Sequence, residues 1–196
     1  MAAKPTTILE ELLAAARGCV ALISGDRRAA EYFDFSLRGL AGSFIAFLVA
    51  TAFSAYLPAI TGSSDNGGSI SRLLLMAGLL FAIQIGFSAL VLRQFKRMDG
   101  LVPYLVADNW ATFFLTAISS VLAVFGISGD FVLVVVGLVV LVMEINIARL
   151  IVTLTPWQIV TFLVAQAFGV SIGLILIGLV FPLPPGLTTA AGSPPS

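Results

Sequence analysis

Four polar side chains lie inside long apolar runs, and they are the residues of this chain that could do chemistry. Asp108 and Glu144 carry carboxylic acids, and Gln84 and Gln166 carry amides. Ionisable groups at membrane depth are costly to bury, so they are candidates for a functional site. If these runs are helices that rise about 1.5 Å per residue, the four residues lie ~9 to ~14 Å from one membrane surface. They form a predicted polar layer, which three residues join nearer that surface: Asn109, Asn146 and Arg149.

This polar layer has three interpretations. In the first, which we favour, the layer is structural: Arg149 pairs with Asp108 or Glu144 between helices, and the amides bond the backbone or one another. In the second, the layer lines a cavity that faces the cytoplasm and binds a small solute or a cation. The third is a proton or ion relay. It is disfavoured because the outer half of the predicted bundle has no comparable residues.

Catalytic chemistry is not indicated. The chain has no histidine, so His-based triads and His metal sites are excluded, and Lys4 and Lys96 lie in predicted cytoplasmic segments. Asp108 and Glu144 match the two facing acids of a membrane aspartic protease only loosely, and no motif surrounds them. A metal would have only carboxylates and amides to bind. We therefore predict that the protein is not an enzyme and has no cofactor and no metal.

The composition is that of an integral membrane protein. Of 196 residues, 59% are hydrophobic and 10% are charged, whereas soluble domains average ~45–50% and ~25%. Ten Lys+Arg balance ten Asp+Glu, so no net charge attracts nucleic acid. The single cysteine, Cys19, permits no internal disulfide.

Gaps between charged residues locate the membrane spans. A helix needs ~20 mostly apolar residues to cross the hydrocarbon core. Five segments meet this length, the fourth only if it continues through Glu144: 39–60, 73–92, 102–125, 131–153 and 157–181. The predicted fold class is all-α, a polytopic membrane protein whose five-helix transmembrane bundle follows a cytoplasmic amphipathic helix. The predicted regions are 1–38 (cytoplasmic or interfacial), 39–181 (transmembrane) and 182–196 (a disordered, Pro-rich tail).

Basic residues predict the orientation. With five spans and the N-terminus in the cytoplasm, the outer side holds only Arg72, and the cytoplasmic segments hold nine basic residues: Lys4, Arg17, Arg27, Arg28, Arg38, Arg93, Lys96, Arg97 and Arg149. This bias follows the positive-inside rule. We predict the inner membrane of a bacterium, with the N-terminus cytoplasmic and the C-terminus periplasmic.

The N-terminal segment predicts an amphipathic helix. Thr7 and Glu10 have the spacing of a capping box, and apolar residues then recur at helical spacing as far as Ser24. The helix is too short and too charged to span, so its apolar side is expected in the headgroup boundary. The segment from Asp26 to Arg38 suits an interfacial approach to the first span. The alternative is that both segments pack on the protein itself.

Small residues predict where the spans pack together, because close approach of backbones holds helices together in lipid. Three stripes of small residues are expected to face neighbouring helices: Gly42, Ala46 and Ala50, extended by Ser54; Gly78, Ala82 and Gly86; and Ala165, Gly169 and Gly173. The span 131–153 has only Gly137 and Ala148 as small residues. It is therefore the span expected to face lipid or a protein partner within the bilayer.

The layout resembles the Yip family, the Rab-interacting-protein-like membrane domain that also has bacterial members. The third span opens with YLVADNWATFF, from Tyr104 to Phe114, and the aliphatic fourth span ends in IARL, from Ile147 to Leu150. The resemblance covers about residues 30–181. It implies five tightly connected helices and a non-enzymatic membrane-organising or adaptor role. The Asp-Leu-Tyr-Gly-Pro signature of eukaryotic members is absent, which weakens any inference of a GTPase partner.

Two hypotheses of function follow. The first is a non-catalytic accessory subunit, scaffold or adaptor in a membrane complex, in contact with lipids and with protein partners through the helix 131–153. The alternative is a small-solute transporter or channel subunit that uses the polar layer. Five spans do not divide into inverted repeats, which disfavours the alternative.

Overall fold

The computed structural model describes residues 7–60, 70–127 and 129–180. These residues form six α-helices and no β-strand, which confirms the predicted all-α class. The helices are α1 (Ile8–Ser24), α2 (Leu37–Ile60), α3 (Ile70–Gln94), α4 (Leu101–Val124), α5 (Asp130–Asn146) and α6 (Pro156–Val180). The predicted tail 182–196 lies outside the described residues.

Five of these helices are long and apolar enough to cross a membrane. The five are α2 to α6, so the predicted number of spans and their order are confirmed. The Val/Leu run of α5 is helical and continues beyond Glu144, as its length required, through a π-helical turn over Ile147–Ile151. The protein is therefore a multi-pass membrane protein.

Helix α1 begins with the predicted capping box. The Thr7 hydroxyl accepts a hydrogen bond from the Glu10 N–H at 3.2 Å, and the Glu10 carboxylate accepts one from the Thr7 N–H at 3.1 Å. The helix ends at Gly25, whose φ of 70° is left-handed and favours glycine. These two caps fix the length of α1.

Helix α1 has two apolar faces with different surroundings. One face, which includes Ala15 and Leu22, is buried against the bundle, and the Asn146 amide of α5 donates to the Leu22 carbonyl at 2.8 Å. The second face carries Leu13 and Val20 and is exposed. The predicted alternative, in which α1 packs on the protein itself, therefore holds for the face that carries Ala15 and Leu22. The exposed face is the one that suits the predicted contact with lipid.

Two residues of α1 show how closely it is packed. Burial raises the pKa of the Cys19 thiol to about 12, so this side chain is part of the apolar core rather than a reactive thiol. Gly18 lies against the ring of Phe33, where an added Cβ would come within 2.6 Å of the ring. The segment after α1 thus packs on α1 itself.

The basic connections lie together at one end of the bundle. The Arg97 guanidinium, between α3 and α4, donates to the Thr153 carbonyl at 3.0 Å and to the Thr153 hydroxyl at 2.7 Å. Thr153 lies between α5 and α6, so one side chain ties two connections together. Helix α1 packs at the same end, through Leu22 and Asn146.

The three small-residue stripes have different surroundings. On α6, an added Cβ at Gly169 would come within 3.0 Å of Phe87, and one at Gly173 within 2.7 Å of Leu80, so this stripe lies directly against α3. On α2, Ala46 and Ala50 are buried, and Gly42 lies against the Glu11 carboxyl of α1.

The stripe on α3 does not pack against a neighbouring helix. Gly78, Ala82 and Gly86 are exposed, and nothing lies within 4 Å of a Cβ added at either glycine. The prediction for this stripe is therefore wrong within one chain, because α3 meets α6 through Leu80 and Phe87 on a different face. Helix α3 is thus open to its surroundings, with 11% of its span buried, and so is α5, with 17%. Most of the large apolar side chains of α5 are exposed, as predicted for a span that faces lipid or a protein partner.

Candidate functional site

Tyr104 lies at the centre of the polar contacts between the spans. Its side chain is buried, with its ring edge-on to Phe162 of α6 at a centroid distance of 5.0 Å. Residues four apart lie on one face of a helix. The sequence therefore brings Tyr104 and Asp108 together on α4, on the side where α5 presents Glu144.

A chain of hydrogen bonds with a defined direction joins four spans. The Gln166 amide nitrogen donates to the Ser88 hydroxyl at 2.6 Å and to the Tyr104 hydroxyl at 2.9 Å. Because an amide nitrogen only donates, the Tyr104 oxygen accepts there, and its own hydrogen is directed to Glu144 Oε2 at 3.4 Å. The Ser88 hydroxyl in turn donates to the Gln84 carbonyl at 2.8 Å. From Gln166 the donors thus run in two branches, one that ends on the Glu144 carboxyl and one that ends on the Gln84 carbonyl.

The carboxyl groups of Asp108 and Glu144 line the same cavity and lie within hydrogen-bonding reach of each other. An ionised carboxylate can only accept a hydrogen bond, so a bond between two carboxyl groups requires that one of them carries a proton. No basic side chain contacts the pair in the described residues. Two carboxylates so close together in a site of low dielectric repel each other unless a positive charge lies between them.

The acid pair forms part of the lining of a cavity of about 350 Å³. This cavity lies between α2, α4 and α5. On α4 it is lined by hydroxyl side chains that follow Asp108 at helical spacing: Thr112, Thr116, Ser119 and Ser120. The opposite wall is aliphatic and includes Val136 and Val140 of α5. The volume is within the range of small-molecule sites, ~300 to ~1,000 Å³.

The structure divides the predicted polar layer into separate groups. Asp108, Glu144 and Gln166 belong to one network, to which Gln84 contributes its backbone carbonyl. Asn109 is buried elsewhere, between α4 and α2, where it donates to the Ser43 hydroxyl at 3.2 Å. Asn146 bonds α1, as described above.

The favoured pairing of Arg149 with the acids is wrong. Arg149 is exposed, and the described residues contain no ion pair between it and Asp108 or Glu144. It belongs to the π-helical turn after α5, which carries its side chain to the surface. Within the described residues, the guanidinium of Arg149 therefore does not balance the charge of the two acids.

Sequence reasoning missed two parts of the site. Tyr104 and Ser88 have no signal in the sequence that marks them as site residues, because a tyrosine and a serine in a span are usually ordinary packing residues. The hydroxyl wall had a signal, since Thr112, Thr116 and Ser119 follow Asp108 on one helical face. That wall continues the polar lining along α4 away from the end of the bundle that holds the basic connections, where no polar layer was expected.

The site has no obvious metal-binding set. The residues that the structure describes contain no group of three or more His, Cys, Asp or Glu that could hold a metal ion. The chain also matches no protein-family model, no curated protein and no solved structure. The resemblance to the Yip family stays a prediction, and the geometry of the site is the basis for a functional assignment.

Proposed function

We propose that the protein binds a small polar solute within the membrane, as a transporter or a subunit of one. The observation that carries this proposal is the acid pair Asp108–Glu144 in the lining of a cavity of about 350 Å³. A purely structural pair would be expected to be packed on all sides or paired with a cation. This pair faces open volume instead.

The network behind the pair supports a binding role. Tyr104 donates to the Glu144 carboxyl and accepts from Gln166, and both Tyr104 and Gln166 are nearly or fully buried. Buried polar partners of this kind fix the orientation of a binding group, which favours specific recognition.

A solute panel tests the proposal. The purified chain in detergent is heated with cationic, neutral and anionic solutes, because a ligand that binds the native state raises the melting temperature. At least one class is expected to stabilise the wild type and to lose this effect in Asp108→Asn/Glu144→Gln. The matched control is Asp130→Asn, which removes an exposed acid of α5 that is not part of the cavity. The proposal fails if no class stabilises the wild type, or if the double variant responds like the wild type.

We propose, as a second candidate, an accessory subunit that contacts its partner through α3. The supporting observation is the exposed stripe of Gly78, Ala82 and Gly86, since small residues of this spacing allow two helices to approach closely in lipid. Native mass spectrometry after gentle extraction tests this candidate. A second chain should be present in the wild type, absent in Gly78→Leu, and retained in the control Gly137→Leu. A wild-type chain that is recovered alone contradicts it.

A further inference from the structure

The cavity between α2, α4 and α5 has charge of one sign only. Of its lining residues, Asp108 and Glu144 are the ionisable ones, and neither Lys nor Arg is among them. An anionic ligand would bring a third negative charge close to the acid pair at low dielectric, which is unfavourable. Charge therefore favours a cationic ligand.

The cavity has one wall lined by polar side chains and one lined by apolar side chains. The hydroxyls lie along α4 and at Ser54 of α2, and the aliphatic surface is formed by Leu57, Leu115, Val136, Val140 and Met143. A small inorganic cation would use the oxygen atoms but leave the aliphatic surface without a function. A molecule with a cationic head and a short apolar body would contact both.

One hydrogen-bond acceptor in the network behind Glu144 has no donor. The Gln166 side chain is buried, with 8% exposure, and both hydrogens of its amide are donated, to Ser88 and to Tyr104. Its Oε1 atom has no hydrogen-bond partner among the described residues. A buried acceptor without a donor costs about 1–3 kcal/mol. Gln166 does not line the cavity, so this unpaired acceptor belongs to the buried network behind Glu144 and the contacts with a ligand come from the cavity walls.

We infer that the cavity binds an amphiphilic organic ammonium, and that the ammonium displaces the proton shared by Asp108 and Glu144. This inference rests on the proposed function and names its ligand class. Before binding, the pair holds one proton and carries one negative charge. When the ammonium enters, its N–H groups bond both carboxylates, the O–H bond of the acid is broken, and the proton leaves to solvent. The site then has two carboxylates and one ammonium, so its net charge is unchanged.

Exchange of this kind couples the ligand to protons. The proton and the ammonium compete for one pair of carboxyl groups, so the affinity for the ammonium falls as the pH is lowered. The other titratable group that faces the pair is Tyr104, whose hydroxyl donates to Glu144. The protein would therefore move an ammonium in one direction against a proton in the other.

Calorimetry with three matched probes tests the inference. Hexylammonium, hexanol and hexanoate share one apolar body and differ in charge, and they are titrated into the full chain in detergent. Hexylammonium is expected to bind at least tenfold more tightly than the other two. Titration in two buffers of different ionisation enthalpy should show release of one proton per ligand bound. Both effects should be lost in Asp108→Asn/Glu144→Gln and kept in Asp130→Asn.

A further variant keeps the test informative if the double variant does not fold. Val140→Phe places an aromatic ring in the aliphatic wall without changing the acid pair, and it should abolish binding of hexylammonium. The inference is overturned if hexanol or hexanoate binds as tightly, or if no proton is released. If the solute panel finds a ligand but hexylammonium does not bind, the proposed function stands and the ligand class is wrong. Failure in both measurements overturns both.

Discussion

The interfaces α3–α6 and α4–α5 are both built largely from apolar residues, but the first is closely packed and the second encloses a cavity. Between α3 and α6, Gly169 and Gly173 let the helices approach until Phe87 and Leu80 fill the contact. Between α4 and α5, the side chains leave about 350 Å³ open, with Asp108 and Glu144 on its wall.

This difference teaches how a binding site can be distinguished from a packing contact in a membrane. Lipid offers no hydrophobic gain for helix association, so a packing interface needs close van der Waals contact. An interface that lacks such contact and also buries two acids is less stable than a closely packed one, because it loses van der Waals energy and must bury polar groups. The α4–α5 interface is therefore the one shaped by a requirement other than packing.

Overpacking should separate the two interfaces most strongly. Gly173→Leu inserts a side chain where a Cβ alone would come within 2.7 Å of Leu80, and we expect a loss of about 3 kcal/mol of unfolding free energy. Val140→Phe, at the α4–α5 cavity, should cost little because open volume receives the ring. Unfolding by SDS in mixed micelles measures both. Gly178→Leu on α6, where nothing lies within 4 Å, is the control. Equal losses at positions 173 and 140 would remove the distinction.

Removal of one hydroxyl should have an intermediate effect. Tyr104→Phe leaves the shape of the ring but removes the donor to Glu144 and an acceptor of Gln166. Because one N–H of Gln166 then lacks its partner in a buried site, we expect a loss of about 1–2 kcal/mol in unfolding free energy. Affinity for hexylammonium should also fall, since Glu144 is no longer held. Thr161→Val, at an exposed hydroxyl of α6, is the control and should change neither value. Unchanged affinity in Tyr104→Phe would show that the network is not a support for the site.

The smallest expected effect concerns α1, outside both interfaces. Burial raises the pKa of the Glu11 carboxyl, Asp34 raises it further and Arg38 lowers it. Because the folded state then favours the protonated acid, its contribution to stability is present at low pH and is lost as the pH rises through the folded pKa. Glu11→Gln should therefore raise the melting temperature slightly at about pH 7 and weaken its pH dependence above the ordinary pKa of 4.5. Glu10→Gln, at the exposed capping box, is the comparison variant. A larger pH dependence in Glu11→Gln would contradict the assignment.

The sequence allowed the spans to be predicted because the length of an apolar run has a direct physical meaning in a bilayer. The five runs, the capping box at Thr7 and the continuation of α5 past Glu144 all follow from one-dimensional spacing. The hydrogen-bond partners of the polar residues could not be predicted from this spacing. Rotation of each helix decides whether Gly86 faces α6 or lipid, and spacing along one helix does not specify that rotation.

The candidate site shows the same limit. The depth of Asp108 and Glu144 could be calculated from their positions, and it indicated a common layer. Their mutual contact depends on how α4 and α5 face each other, and the exposed position of Arg149 depends on a π-helical turn that no simple pattern predicts. Long-range partners such as Tyr104 and Gln166, 62 residues apart, are fixed by the packing of the whole bundle.

Infrared difference spectroscopy tests the central claim most directly, because it observes the shared proton itself. The chain in detergent at neutral pH should show the C=O stretch of a protonated carboxylic acid. Addition of hexylammonium should remove this band and increase the carboxylate bands, while Asp108→Asn/Glu144→Gln should lack the change. An acid band that is absent from the wild type, or that persists when hexylammonium is bound, would contradict the account.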